Sequence, residues 1–264
     1  MNTGNYDEKK VSRIAHIEEH LTGAFNVEED VDYILRNFGN PRACTMELSD
    51  HAQASAMYAW FKHNDLNAMR QWCYVASKLD QKWYSMEIDT IEPGARMLQL
   101  LKPLLSNHDS LIDWFARCDQ AYDMKRVESH KTYDFWAYQA VLALRGEWDR
   151  LIERSEKVIN DPPTGKSEKK YLIDHHFYLG LARRDMNMMR DALQQIVAPK
   201  AVVERRDDDS GYTADMISTA AVIYAKIAWR HDCRIVMDSP YVPNEWLPMD
   251  PLVQYSNHYE FLSN

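Results

Sequence analysis

A few short patterns in this chain have the residue types for chemistry. Gly165-Lys166-Ser167 has the ending of a phosphate-binding loop. That loop needs a first glycine at position 160, where Asn160 stands, and a buried strand before it,. Helical periodicity up to Ile159 precedes it instead, so the stretch reads as an ordinary loop between helices,. His16 and His20 are four apart on one helical face, with Glu18 and Glu19 between them. A zinc-protease helix has Glu directly after the first His, and here Ile17 occupies that place, so a solvated polar face is expected,. His175 of the pair His175-His176 falls on an apolar stripe and reads as a satisfied core histidine. Asp113, Asp119 and Asp123 offer carboxylates, of which Asp119 and Asp123 are expected to share a helix face. No histidine or nucleophile accompanies them, so a solvated acidic face is expected,. Neither a Gly-x-Ser-x-Gly elbow nor a Gly-rich fingerprint occurs,. The sequence therefore predicts no enzyme, no cofactor and no metal site. A hydrolase without a known motif would show itself only through perturbed titratable groups in a cleft.

One acidic run differs in kind. Asp207-Asp208-Asp209 stands close to Tyr212 and Asp215. Acidic runs are commonly solvated loops. In an acidic protein, three carboxylates beside a tyrosine also make a plausible contact for a basic cleft, because hot spots favour aromatic and charged anchors. These five residues are the sequence-level candidates for partner binding. A second cluster, Glu28-Glu29-Asp30 with Asp32, suits the N-terminus of its own helix,.

The elements that must position these residues read as helices. The 264 residues are 45 % apolar, with only 8 Gly and 10 Pro, few for an all-β chain,. A first helix is expected over 6–21, with Val11, Ile14, Ile17 and Leu21 on one stripe,. Asn26 with Glu29 starts a second, which Gly39 and Pro41 end,. Helix–turn–helix units follow, turning at Asn64, His108, Gly146, Asp185 and His231. These turns are about 40 residues apart, the spacing of a helical-hairpin repeat. Small residues at close-packing positions (Ala137, Ala140, Gly180, Ala182) resemble those of tetratricopeptide hairpins. The expected fold is all-α: stacked antiparallel hairpins with a degenerate repeat, in one domain over 1–264. Its parts are N-terminal helices over 1–48, hairpins over 49–231 and an irregular tail over 232–264. The segments 160–167 and 199–211 read as loops.

The tail is the most informative part. Pro240, Pro243, Pro248 and Pro251 forbid a helix,. Tyr241, Trp246, Leu247, Leu252, Tyr255, Tyr259, Phe261 and Leu262 are too apolar for disorder,. The tail is thus expected to lie as a ribbon on the helices, capping the stack where the fifth helix lacks a partner.

Its residues resemble the Immunity protein 49 family. The matching features are Ala225-Lys226-x-Ala228-x-Arg230, Asp238-Ser239-Pro240, Leu247-Pro248, Pro251-Leu252 and Tyr259-x-Phe261-Leu262. The resemblance covers about the last 50 residues and implies an all-α protein that neutralises a bacterial toxin by binding it. It carries over no catalytic residue.

Charge agrees with a protein partner. Against 31 Lys and Arg stand 40 Asp and Glu, a net −9. That opposes binding to a nucleic-acid backbone and suits a basic partner such as a nuclease-type toxin. Cys44, Cys73, Cys118 and Cys233 are scattered without a CxxC and read as reduced thiols,. The polar stretch 1–10 is unlike a signal peptide, and no apolar run approaches a bilayer span,. A place in the bacterial cytoplasm is expected, with no membrane partner. The other reading is a helical-repeat adaptor that holds a peptide or a partner helix.

Overall fold

A computed structural model describes residues 3–23, 25–86 and 93–263. The chain is all-α, and no strand occurs among the described residues. α1 (Thr3–Thr22) and α2 (Val27–Arg36) lead into the long pair α3 (Pro41–His63) and α4 (Leu66–Tyr84). Next come α5 (Pro93–Gln99), α6 (Leu101–Ser106), α7 (Asp109–Arg117) and the single turn α8 (Met124–Val127). Two further hairpins are α9 (Tyr133–Arg145) with α10 (Trp148–Asn160), and α12 (Leu172–Ala182) with α13 (Met186–Ile196). The short α11 (Lys166–Lys169) and α14 (Pro199–Glu204) flank the latter, and α15 (Thr219–Arg230) closes the helical part.

The turns lie where residue chemistry permits them. Asn64, Asn107 and Gly146 end helices in the left-handed region, at φ 54, 57 and 71°. Asn and Gly tolerate that conformation, which frees backbone N–H groups to bond back into the helix. Asn26 accepts from the Glu29 N–H at 3.2 Å and donates to the Glu29 carboxylate at 3.4 Å. The N-cap the sequence implies is thus formed, though Glu29 meets the Asn26 side-chain amide rather than the backbone N–H that a full capping box would engage,. At Gly180 an added Cβ would stand 3.0 Å from the Met189 nitrogen, so a larger residue would push α12 and α13 a few tenths of an ångström apart.

Several expectations are corrected. The apolar run 97–104 is two helices broken at Leu100, because Pro103 cannot donate to the Gln99 carbonyl,. The segment 199–211 holds α14, with Pro199 at its first position, and a 3-10 turn over Arg206–Asp208,. The packing does not establish a regular repeat. α15 packs on α6, α9 and α13, and every residue from Thr219 to Ala228 is buried. In a linear stack a last helix would touch only its neighbours; here it runs through the core.

The segment after α15 holds only two 3-10 turns, at Asn244–Trp246 and Glu260–Leu262. Trp246 and Leu247 are buried, with the Trp246 ring edge-on to Trp60 and Phe61 of α3. Further on, Tyr255 stacks obliquely on Tyr74 of α4, and Tyr259 and Leu262 join a small core with α2 and α4. The ribbon therefore ties the last helix to the first hairpin.

Candidate functional site

The acidic loop is pinned to its own molecule. Arg13 of α1 donates to the carbonyls of Gly211 and Ala214 at 2.7 and 3.1 Å. It also pairs with Asp215, whose carboxylate meets Arg206 at 3.0 Å and Lys9 at 3.3 Å. Burial opposes ionisation of Asp215, but Arg13, Arg206 and Lys9 outweigh it and hold its carboxyl below the usual range,. Asp208 is buried and accepts from the Tyr171 hydroxyl at 2.6 Å; burial raises its pKa. Asp209 accepts from the Thr219 N–H at 2.9 Å, at the start of α15, where a carboxylate complements the helix dipole,. Burial pushes its carboxyl up to about 6. Asp207 alone of the run is exposed, and no hydrogen bond or ion pair involves its side chain.

Tyr212 continues this seam. Its hydroxyl lies 3.3 Å from the ring nitrogens of His20. His20 lies against Phe25 and His51, at ring-centre distances of 5.8 and 5.7 Å. His20 thus belongs to a half-buried aromatic cluster rather than a solvated face, and burial lowers its pKa. Sequence periodicity missed this because the covering residues come from α3 and the distant loop. A chain of ring contacts links the acidic loop to the segment that opens α2.

The other candidates disperse. Asp119 and Asp123 do not share a helix face. Asp119 lies in a 3-10 turn and accepts from Arg145 at 2.6 Å and Tyr138 at 2.7 Å, while Asp123 caps α8. Asp113 pairs with Arg230 at 3.2 Å. His175 is buried, with its Nδ1 3.3 Å from Gln139, and burial lowers its pKa to about 3, so it is neutral in the core. Gly165 precedes the one-turn α11 and follows helix α10, in no strand-loop-helix setting. The four cysteines are free thiols.

Lys226 has a seat that the sequence pattern alone does not show. The side chain is fully buried. Its ammonium donates to Asn107 Oδ1 at 2.5 Å and to the carbonyls of Trp246, Leu247 and Pro248 at 3.1, 3.4 and 3.3 Å. Arg70 donates to the same Pro248 carbonyl at 3.3 Å. Burial, with Arg70 adding to it, lowers the Lys226 pKa to about 7. One turn on, Arg230 holds Asp109 and Asp113 at the edge of an open groove of about 680 Å³, beside Asp232, Arg234 and Asp250. Ala225–Arg230 and Leu247-Pro248, far apart in the tail pattern, thus meet in space.

The family model of Immunity protein 49 matches residues 123–246. The resemblance read from the tail is borne out, but its support lies further upstream. The matched segment runs from the cap of α8 to the buried Trp246. It contains Lys226, Arg230, Asp238–Pro240 and the acidic loop, and ends just before Leu247-Pro248. No curated protein and no solved structure matches the chain. No helix among the described residues is long and apolar enough to cross a membrane.

Proposed function

We propose that this protein is an immunity protein that binds a cognate bacterial toxin in the cytoplasm and covers it, performing no chemistry of its own. The observation that carries this reading is the Immunity protein 49 match over residues 123–246. The net charge of −9 supports a toxin with a basic surface, such as a nuclease-type cleft,. Within the acidic loop, Asp207 and the accessible edge of Tyr212 would make the contact. Asp208, Asp209 and Asp215 would hold the loop in shape, since their carboxylates are already engaged.

The test is co-expression. The C-terminal domain of the adjacent upstream open reading frame is induced as the candidate toxin with and without this protein, and survivors are used for co-purification. Rescue with a stable complex, weakened by salt, is the expected result. Rescue without a complex would count against occlusion and favour an activity on the toxin's product or target. Toxicity without rescue would exclude that partner and favour the adaptor reading. Within the complex, Asp207→Asn should weaken binding several-fold while Asp209→Asn acts on stability.

A further inference from the structure

The turn between α2 and α3 presents an aromatic side chain to solvent. The chain has 7 Phe, 8 Trp and 15 Tyr. Among the described residues Phe38 is the only exposed one of these, at 63 %. Leu35, one turn earlier, is 60 % exposed. Other exposed large apolar side chains, such as Val11, Val203 and Val253, are scattered along the chain. Single exposed apolar residues need no explanation; an aromatic and a leucine on one helix end make a patch.

The turn holds that patch in a fixed posture. Asn37 and Gly39 on either side of Phe38 have φ of 51 and 67°. The Phe38 N–H bonds to the Tyr33 carbonyl at 3.0 Å, and the Asn37 N–H to the Ile34 carbonyl at 3.3 Å. These close the end of α2, and a hydrophobic contact usually accompanies such an ending. Here the Phe38 ring lies 5.5 Å from Tyr33, yet most of its surface stays open. Asn40 caps α3 through the Ala43 N–H at 3.1 Å, and Pro41 is the first residue of α3. Along the same apolar stripe, Val27, Val31 and Ile34 pack on the small core containing Tyr259 and Leu262, while Leu35 and Phe38 at its C-terminal end stay outside it. A side chain held on a capped turn loses little freedom on binding.

The surroundings are acidic. α2 carries Glu28, Glu29, Asp30 and Asp32 against Arg36 alone. Asp30 is buried; Glu28 and Glu29 are exposed and Asp32 is half-exposed, paired with Arg36 at 2.8 Å. The patch is thus an apolar anchor with acidic charge to one side of it, toward the start of α2,.

We propose that this turn is a binding knob: Phe38 and Leu35 enter an apolar pocket on the toxin, and Glu28, Glu29 and Asp32, along the helix from it, meet basic side chains to one side of that pocket. The proposal rests on the immunity reading and adds to it the partner's chemistry, an apolar pocket flanked on one side by basic groups. The ring contacts from Tyr212 through His20 to Phe25 place the acidic loop beside the start of α2. From there to the knob is about 15 Å along the helix, well within one interface of ordinary size.

The experiment measures binding of the candidate toxin domain recovered in the co-expression test to wild type, to Phe38→Ser with Leu35→Ser, and to Glu28→Lys with Glu29→Lys. Each variant is first checked by thermal unfolding. The serine pair should keep the wild-type melting temperature, since its side chains are exposed; the lysine pair loses the Tyr33–Glu29 bond and sets positive charge at a helix N-terminus, so its binding is measured well below its own melting temperature,. The serine pair should raise Kd about 30-fold or more, and the lysine pair should slow association about tenfold at low salt. Should the serine pair unfold early, the lysine pair decides alone. Wild-type binding with both variants unchanged would overturn the knob and leave immunity standing. A wild type that neither binds nor rescues would remove both.

Discussion

Replacing Lys226 by methionine tests the seat of the tail through a pH slope. The ammonium is fully buried and bound only by amide and backbone carbonyl oxygens. Its pKa falls from 10.5 to about 7 on folding. Between these values the unfolded chain holds a proton that the folded chain has released, so stability must rise with pH. A full proton difference is worth about 1.4 kcal/mol per pH unit. At pH 7 the folded group is half protonated, and integration to pH 9 gives a gain of about 2 kcal/mol. Cys73, the thiol closest in its field, is pushed up to about 12 by burial and stays neutral throughout this window. Methionine removes the slope. It also leaves Asn107 Oδ1 and the carbonyls of Trp246 and Leu247 without this donor, while Pro248 keeps Arg70 and Asn107; each oxygen left unsatisfied costs about 1–3 kcal/mol,, so the level of stability shifts as well. The slope is therefore the diagnostic. Urea unfolding followed by tryptophan fluorescence at pH 7, 8 and 9 measures it. The difference between wild type and Lys226→Met should change by about 2 kcal/mol across the range. Parallel curves would refute the reasoning, because they would mean that Lys226 keeps its proton in the fold.

Three other perturbations have definite outcomes. Asp209→Asn should stabilise the protein at pH 7: the folded carboxyl titrates near 6, so its contribution is present below the unfolded value of 3.8 and is lost as pH rises through 6,. Unfolding curves at pH 4 and 7 should differ less in the variant than in wild type, and an equal difference would exclude the shift. Arg205→Met strands the buried Asp174, which Arg205 holds through bonds of 2.9 and 2.6 Å, and should cost about 3–5 kcal/mol,. Adding Asp174→Leu should recover part of that loss in chemical denaturation, and no recovery would argue that packing rather than charge governs the site. Removing residues 240–264 uncovers the surfaces now under Trp246, Leu247, Tyr259 and Leu262. Burial of four such side chains is worth on the order of 5 kcal/mol or more, so an unchanged urea midpoint would show that the tail does not cap the helices.

The helical hairpins were legible from sequence because their causes are local. The left-handed tolerance of Asn64, Asn107 and Gly146 and the capping of Asn26 each depend on residues within one turn, whereas the break before Pro103 was not read from the apolar run 97–104,. The apolar, proline-broken tail also announced itself by composition, and its resemblance to Immunity protein 49 pointed to the family that matches residues 123–246.

Tertiary structure decided which polar groups are available. The sequence shows that Asp208, Asp209 and Asp215 are carboxylates, but their partners are Tyr171, Thr219 and Arg13, the last 202 positions away. Lys226 reads as a helix-end cation, yet the tail folding back over α15 seals it among carbonyl oxygens. By sequence Leu35 and Phe38 belong to the same apolar stripe of α2 as Val27, Val31 and Ile34, yet the packing seats only those three and leaves Leu35 and Phe38 outside. Periodicity and capping are set by neighbours in the chain, so sequence determined the helices and their ends. Burial and ion pairing are set by segments that meet only when the chain closes, so the fold alone separated the charges that hold the molecule together from those free to meet a partner.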